Sequence, residues 1–159
     1  MSWRRPKKDF RAGSGRGNKA AMKKLMKSGA PVGILLYKDG EAVGWCSVAP
    51  RQQFVALGNS RVWAPVDDQP VWSVSCFFLS KSARRQGLSV ELLNAAVAFA
   101  KKHGAKIVEG YPQDLGEKTL PAAFVWTGLQ KSYECADFRE AVRRSKAKPI
   151  MRRTVGGRI

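Results

Sequence analysis

The sequence predicts an α/β (α+β) fold in which one mixed sheet carries helices on both faces. Three observations lead there. Asp39-Gly40 separates two apolar, β-prone runs and suits a type I′ hairpin. The run Val71–Leu79 is apolar on both of its alternating faces, as expected of a strand central in its sheet. Strand-like and helix-like periods then follow each other at spacings that build one layered domain.

The elements read in order as follows. Arg11–Gly17 (RAGSGRG) is a small loop, and Asn18 caps a helix (NKAAMKKLMKS) with Met22, Leu25 and Met26 on one side and Gly29 as its stop. The hairpin strands are Val32–Lys38 and Glu41–Ala49, ended by Pro50. A short link carries Phe54 and Leu57, Arg61–Ala64 is expected as a third strand, and Val66–Pro70 as a turn. Along Val71–Leu79, strict alternation puts Trp72, Val74, Cys76 and Phe78 on one face. The basic loop Ser80–Gly87 leads into a helix from Leu88 to His103, where Leu88, Leu92 and Phe99 fall at helical spacing. Lys101, Lys102 and His103 complement its C-terminal dipole, and Gly104 stops it. Lys106–Tyr111 is a strand closed by Pro112. Gln113–Leu120 is a loop, and Pro121 starts a helix expected to run to about Ala136. Phe138–Arg144 and Ile150–Val155 are a closing strand pair.

Composition bounds the rest. The chain has 159 residues, 44% of them apolar and 26% charged, which suits a single globular domain and excludes wholesale disorder. No run approaches the ~20 apolar residues of a membrane span, and no apolar stretch follows the basic start as in a secretion signal. Cys46, Cys76 and Cys135 form no CxxC pair, so the expectation is a reduced, cytoplasmic protein without a metal site. The net charge is +17, and its placement is uneven. Residues 1–27 hold ten Lys/Arg against one acid, and residues 139–159 hold eight against one. The two basic ends attract polyanions, or serve as solvated faces. The division expected is a basic, flexible arm over 1–17 and a folded domain over 18–159.

The chemistry sits in the segment Phe77 to Ser89. A central strand enters a basic turn containing glycine, and that turn opens a long helix. The first amides of such a helix lack internal partners and lie at the positive dipole end, where phosphate binds. Gly87 lets the backbone approach closely, Arg84 and Arg85 add charge-assisted contacts, and Ser89 adds a hydroxyl.

In this segment Arg84-Arg85-Gln86-Gly87-Leu88-Ser89 resembles the Arg/Gln-x-x-Gly-x-Gly/Ala signature of the GNAT superfamily of acetyl-CoA-dependent N-acetyltransferases, with Ser89 in place of the last small residue. The hairpin, the Tyr133–Phe138 stretch and the closing RRSKAKPIMRR segment fall where that family has counterparts, over about residues 30–155. The resemblance implies a mostly antiparallel mixed sheet, acetyl-CoA as cosubstrate, no metal, and direct attack by an amine acceptor whose identity the sequence leaves open. It places the pantetheine arm along Phe77, Phe78 and Leu79, the thioester oxygen on an amide near Phe78, and the pyrophosphate on the turn formed by Arg84, Arg85, Gln86, Gly87, Leu88 and Ser89. Tyr133 matches the position of the tyrosine that members often use to protonate the leaving thiolate, with a packing tyrosine whose hydroxyl caps a polar group as its alternative role. Glu109 is the candidate base, with a strand-end ion pair as its alternative role. Two positions depart from the pattern. Asp137 stands where the family has glycine, and Trp126 stands where many members have a CoA-contacting asparagine. The single histidine, His103, lies too far along its helix to serve the turn. Partners thus comprise acetyl-CoA and an amine, with weak polyanion binding and a homodimer left open and no membrane.

Overall fold

In the computed structural model, which describes residues 1–118, 120–121 and 124–156, six strands form one sheet in the order β1-β2-β3-β4-β6-β5. They are β1 (Ile34–Lys38), β2 (Glu41–Pro50), β3 (Trp72–Leu79), β4 (Ile107–Gly110), β5 (Arg139–Arg143) and β6 (Pro149–Thr154). Among these pairs only β3 and β4 run parallel. The sheet is therefore mixed and mostly antiparallel. The helices are α1 (Lys7–Ala12), α2 (Arg16–Lys27), α3 (Val55–Gly58), α4 (Leu88–Lys102) and α5 (Gln130–Cys135). The β1–β2 turn has positive φ at both Asp39 and Gly40, as a type I′ hairpin requires.

Neighbouring residues of one strand enter two different cores, which fixes the layers. Val48 and Met151 pack with Leu92, Leu93, Ala96 and Tyr133 under α4 and α5. Ala49 and Ile150, their chain neighbours, pack with Trp3, Phe54, Leu57 and Tyr111 on the opposite face. Trp3 is only 8% exposed, and its ring lies 4.8 Å from that of Trp63 and 5.3 Å from that of Trp126. Arg4 bonds Gln53 at 2.6 Å and the Val32 carbonyl at 3.1 Å, fastening the first residues to the body.

Several local expectations are corrected. Asn18 does not cap α2, which starts two residues earlier. Its side chain accepts from Arg5 and donates to the Phe10 carbonyl, tying α1 to α2. Arg61–Ala64 is a loop with no strand pairing. The helix expected from Pro121 is confined to α5, with Ala122 and Ala123 outside the described residues. Gly128 turns the backbone with φ of 89°, and the Trp126 carbonyl accepts from Phe77 rather than from a residue of its own turn. In β3 the alternation breaks, because the register against β2 jumps from Ser47↔Cys76 to Val48↔Val74 and leaves Ser75 as an extra residue. This bulge moves Phe77 and Leu79 to the α4 face alongside Trp72 and Val74, and turns Phe78 outward at 56% exposure.

Candidate active site

The site is built where β3 and β4 part. Their parallel pairing covers Trp72↔Val108, Ser73↔Glu109 and Val74↔Gly110 and then stops. Beyond that point opens a cleft of about 670 Å³, lined by Phe77, Phe78 and Leu79 of β3, by Arg84, Arg85 and Ser89 of the turn and α4, and by residues 125–133. One wall is apolar and the other basic.

The basic wall follows from the turn. Ser80 leads into a short 3-10 turn over Lys81–Ala83, then Arg85 (φ 60°) and Gly87 (φ 76°) reverse the chain into α4. Gly87 occupies the N-cap position in the left-handed region, and no side chain caps the helix. The first amides of a 15-residue helix are thus left to an external acceptor. Arg84 is held by its Nε on the Leu79 carbonyl at 3.1 Å. Gln86 is turned away, donating to the Ser82 carbonyl and accepting from Lys38, so it braces the turn. The Ser89 hydroxyl donates to Ser132 at 3.2 Å and links α4 to α5.

The apolar wall centres on Tyr133, which is fully buried. Its ring lies between two glycines: a Cβ on Gly110 would meet its Cε1 at 2.0 Å, and one on Gly128 its Cε2 at 2.9 Å. Phe77 and Phe138 meet it edge-on at 5.9 and 5.1 Å. The hydroxyl donates to the Thr127 carbonyl at 3.2 Å, and burial holds its pKa well above the ordinary tyrosine value. Asp137 has φ of 59°, a left-handed position that aspartate tolerates and glycine would fill without strain.

Backbone direction along β3 decides which amides face the cleft. The Ser80 N–H donates to Val43 on the β2 side, whereas the Phe77 N–H donates to the Trp126 carbonyl at 2.6 Å on the other. Alternation then puts Leu79 with Phe77 on the cleft edge and Phe78 on the β2 edge. The cleft-side amides near Phe78 are those of its two neighbours, while the Phe78 side chain contributes to the wall.

Glu109 is not brought to this cleft. It is 0% exposed and lies on the opposite face, with Oε1 accepting from Arg51 (2.8 Å) and Tyr111 (2.6 Å), and Oε2 from Arg152 (2.8 Å). Arg152 also clasps Asp67 with both terminal nitrogens, which holds that carboxyl below the usual carboxylate range. Arg51 reaches on to the Leu57 and Trp63 carbonyls. The Tyr111 hydroxyl lies 2.8 Å from Ser73 Oγ, and burial raises its pKa well above the ordinary value. A second cavity of about 420 Å³ opens beside this network. Sequence reading missed Arg51, Tyr111 and Arg152; the pairing of a strand-interior acid with arginines distant in sequence leaves no local signal. His103 lies outside both cavities and packs on Phe99 and Trp72.

The sequence model described as the acetyltransferase (GNAT) family matches residues 3–114. Among curated proteins, none matches this sequence. Solved structures of similar fold include an acetyltransferase of the GNAT family from Streptococcus pneumoniae (13% identity, 90% of this chain and 78% of that one, TM-score 0.55). The ribosomal-protein-S18-alanine N-acetyltransferase of Escherichia coli is another (16%, 86% and 77%, TM-score 0.51). A third is yncA of Salmonella typhimurium, with its cofactor acetyl-CoA (13%, 89% and 73%, TM-score 0.53). At these identities the likeness establishes the fold.

Proposed function

Since the chain belongs to the GNAT acetyltransferase family, we propose that it moves the acetyl group of acetyl-CoA to a primary amine by direct attack of that amine on the thioester. The observation that carries this reading is the uncapped N-terminus of α4, flanked by Arg84 and Arg85, beside an apolar cleft that opens where β3 and β4 part. A pyrophosphate suits the first end and a pantetheine arm the second. Acetyl-CoA supplies an activated acyl group, so no protein nucleophile is needed, and the chain's task is to bind, orient and manage protons.

In this reading the amides of Leu88 and Ser89 and the guanidiniums of Arg84 and Arg85 hold the phosphates, with Gln86 and Gly87 shaping the turn. The backbone of Phe77 and Leu79 provides the edge along which the arm pairs, and one of those two amides polarises the thioester carbonyl. The Phe77 amide becomes free for this when the Trp126 carbonyl withdraws from it. Tyr133, kept protonated by burial, gives its hydroxyl proton to the departing thiolate, and the proton that the amine loses on forming the amide restores the hydroxyl. Glu109 holds together the strand ends from which the cleft opens, through Arg51, Arg152 and Tyr111.

The test is calorimetric titration with acetyl-CoA, followed by thiol-release assays over a panel of amines. Wild-type protein should bind at micromolar concentrations. Gly87→Glu, which puts a strained side chain and a negative charge at the phosphate position, should abolish binding without unfolding the chain, since a Cβ there meets nothing within 4 Å. Binding unchanged in that variant would refute the assignment of the turn.

A further inference from the structure

Helix α2 is arranged at odds with its own stability. Its first turn has no acid and carries Arg16 and Lys19 at the end where the helix dipole disfavours cations. Arg16, Lys19, Lys23 and Lys27 fall at i, i+3, i+7 and i+11, a single stripe, and all four are exposed. The other side of the helix, with Asn18, Ala21, Met22 and Leu25, is half-buried against the body. From Phe10 to Lys38 the chain contains no acid at all. Among the described residues every ion pair uses Arg51, Arg139, Arg143 or Arg152, so no carboxylate neutralises any base of residues 1–38.

The stripe also has a defined place. Met22 lines a small cavity of about 60 Å³ together with Trp3, Ser47, Ser75, Cys76 and Trp126, directly behind the parting of β3 and β4. Bases of the C-terminal end engage the loop that carries Trp63. Lys148 stands 5.5 Å over the Trp63 ring, which packs on Trp3, and Arg144 donates to the Ala64 and Pro65 carbonyls. The unneutralised positive face is thus the exposed stripe of α2, whose Met22 reaches the rear of the cleft.

We propose that this face docks the phosphodiester backbone of an RNA, so that the amine reaching the rear of the cleft is one carried by RNA. Cations repeating about every helical turn of 5.4 Å, unmixed with acids, suit a regular polyanion better than the mixed surface of an acidic protein. The stripe has no interleaved aromatic residues, so recognition is of backbone rather than of bases. The delivery of an amine rests on the acetyl-transfer reading, but the docking does not.

The experiment is fluorescence anisotropy of the full chain with a labelled RNA of about 20 nucleotides and mixed sequence, between about 50 and 200 mM salt. Four contacts from the stripe alone predict an affinity loss of about 50-fold over that range, from a slope of ~0.7 per contact. The variant R16Q/K19Q/K23Q/K27Q should flatten the slope by about 3 and keep wild-type acetyl-CoA titration and melting. Equal RNA binding by that variant, binding insensitive to salt, or displacement by poly-glutamate more readily than by unlabelled RNA would each overturn the proposal. Loss of acetyl-CoA binding in the wild type with RNA binding intact would instead overturn acetyl transfer alone.

Discussion

Replacing Glu109 by glutamine separates two roles for a carboxylate that is fully buried on the face of the sheet opposite the cleft. The substitution keeps the shape of the side chain and removes the anion that Arg51 and Arg152 share at 2.8 Å each. Both guanidiniums are largely buried, with side-chain exposures of 12% and 13%, so water from the neighbouring cavity replaces the lost partner only in part. Breaking a buried pair from one side costs about 3–5 kcal/mol. Here the new amide also points a donor at a guanidinium, which keeps the cost in that range despite the conserved volume. In a chain of this length each kcal/mol lowers the melting temperature by about 2–4 °C, so Glu109→Gln should melt about 6–20 °C lower. Thermal unfolding by circular dichroism measures this, and kcat against pH is measured below the new transition. The positioning role predicts a lowered melting point and a kcat profile of unchanged shape. A variant that melts as the wild type does, while kcat falls by two orders of magnitude and the acidic limb of its profile disappears, would refute this and make Glu109 the base.

Tyr133→Phe removes a hydroxyl whose structural bond is worth about 1 kcal/mol, but kcat should drop about 100-fold if the hydroxyl protonates the thiolate; a change in KM alone would contradict that role. Gly110→Ala forces a Cβ against the Tyr133 ring at 2.0 Å and should cost about 1–3 kcal/mol in urea unfolding, with loss of acetyl-CoA turnover. On acidification Asp67, whose pKa is lowered chiefly by its bonds to Arg152, contributes stability present above its unfolded pKa of about 4 and lost as pH falls through its folded value. Melting curves below that pH should therefore converge for wild type and Asp67→Asn. At the alkaline end Tyr111 and Tyr133, both raised by burial, favour the folded state below about pH 10 and cease to do so as pH rises through their folded values.

What could be read from residues alone follows the range of the interactions involved. The hairpin at Asp39-Gly40, the stops at Gly29 and Gly104, the length of α4 and the turn from Arg84 to Ser89 are set within a few residues, and each is where the sequence puts it. The bulge at Ser75 depends on how β3 meets β2, so alternation within one strand predicts the wrong face for Phe77 and Phe78. The segment before α5 has helical composition, yet the Phe77 amide draws off the Trp126 carbonyl. Asn18 has the chemistry of a cap and uses it on α1 instead. The Arg51–Glu109–Arg152–Asp67 network joins four chain segments with no common motif and emerges only when the sheet brings the end of β2, across β3, toward β4 and β6.

Trp126 gives the two sides of the cleft a common element. Its carbonyl holds the Phe77 amide at the front, and its ring packs edge-on against Trp3 at the rear. When a ligand pairs with Phe77, one amide–carbonyl bond replaces another, a trade that is close to neutral in free energy. The net cost of opening is then the packing of the Trp126 ring in a cluster that also contains Trp3 and Trp63. That cluster borders the cavity lined by Ser75 and Cys76, behind the point where β3 and β4 part. Withdrawal of Trp126 from the front therefore loosens the rear wall as well. If the edge of β3 holds the cofactor as proposed, its occupancy and the opening of the rear wall would be coupled through this one residue, and the order of binding would then follow from the packing.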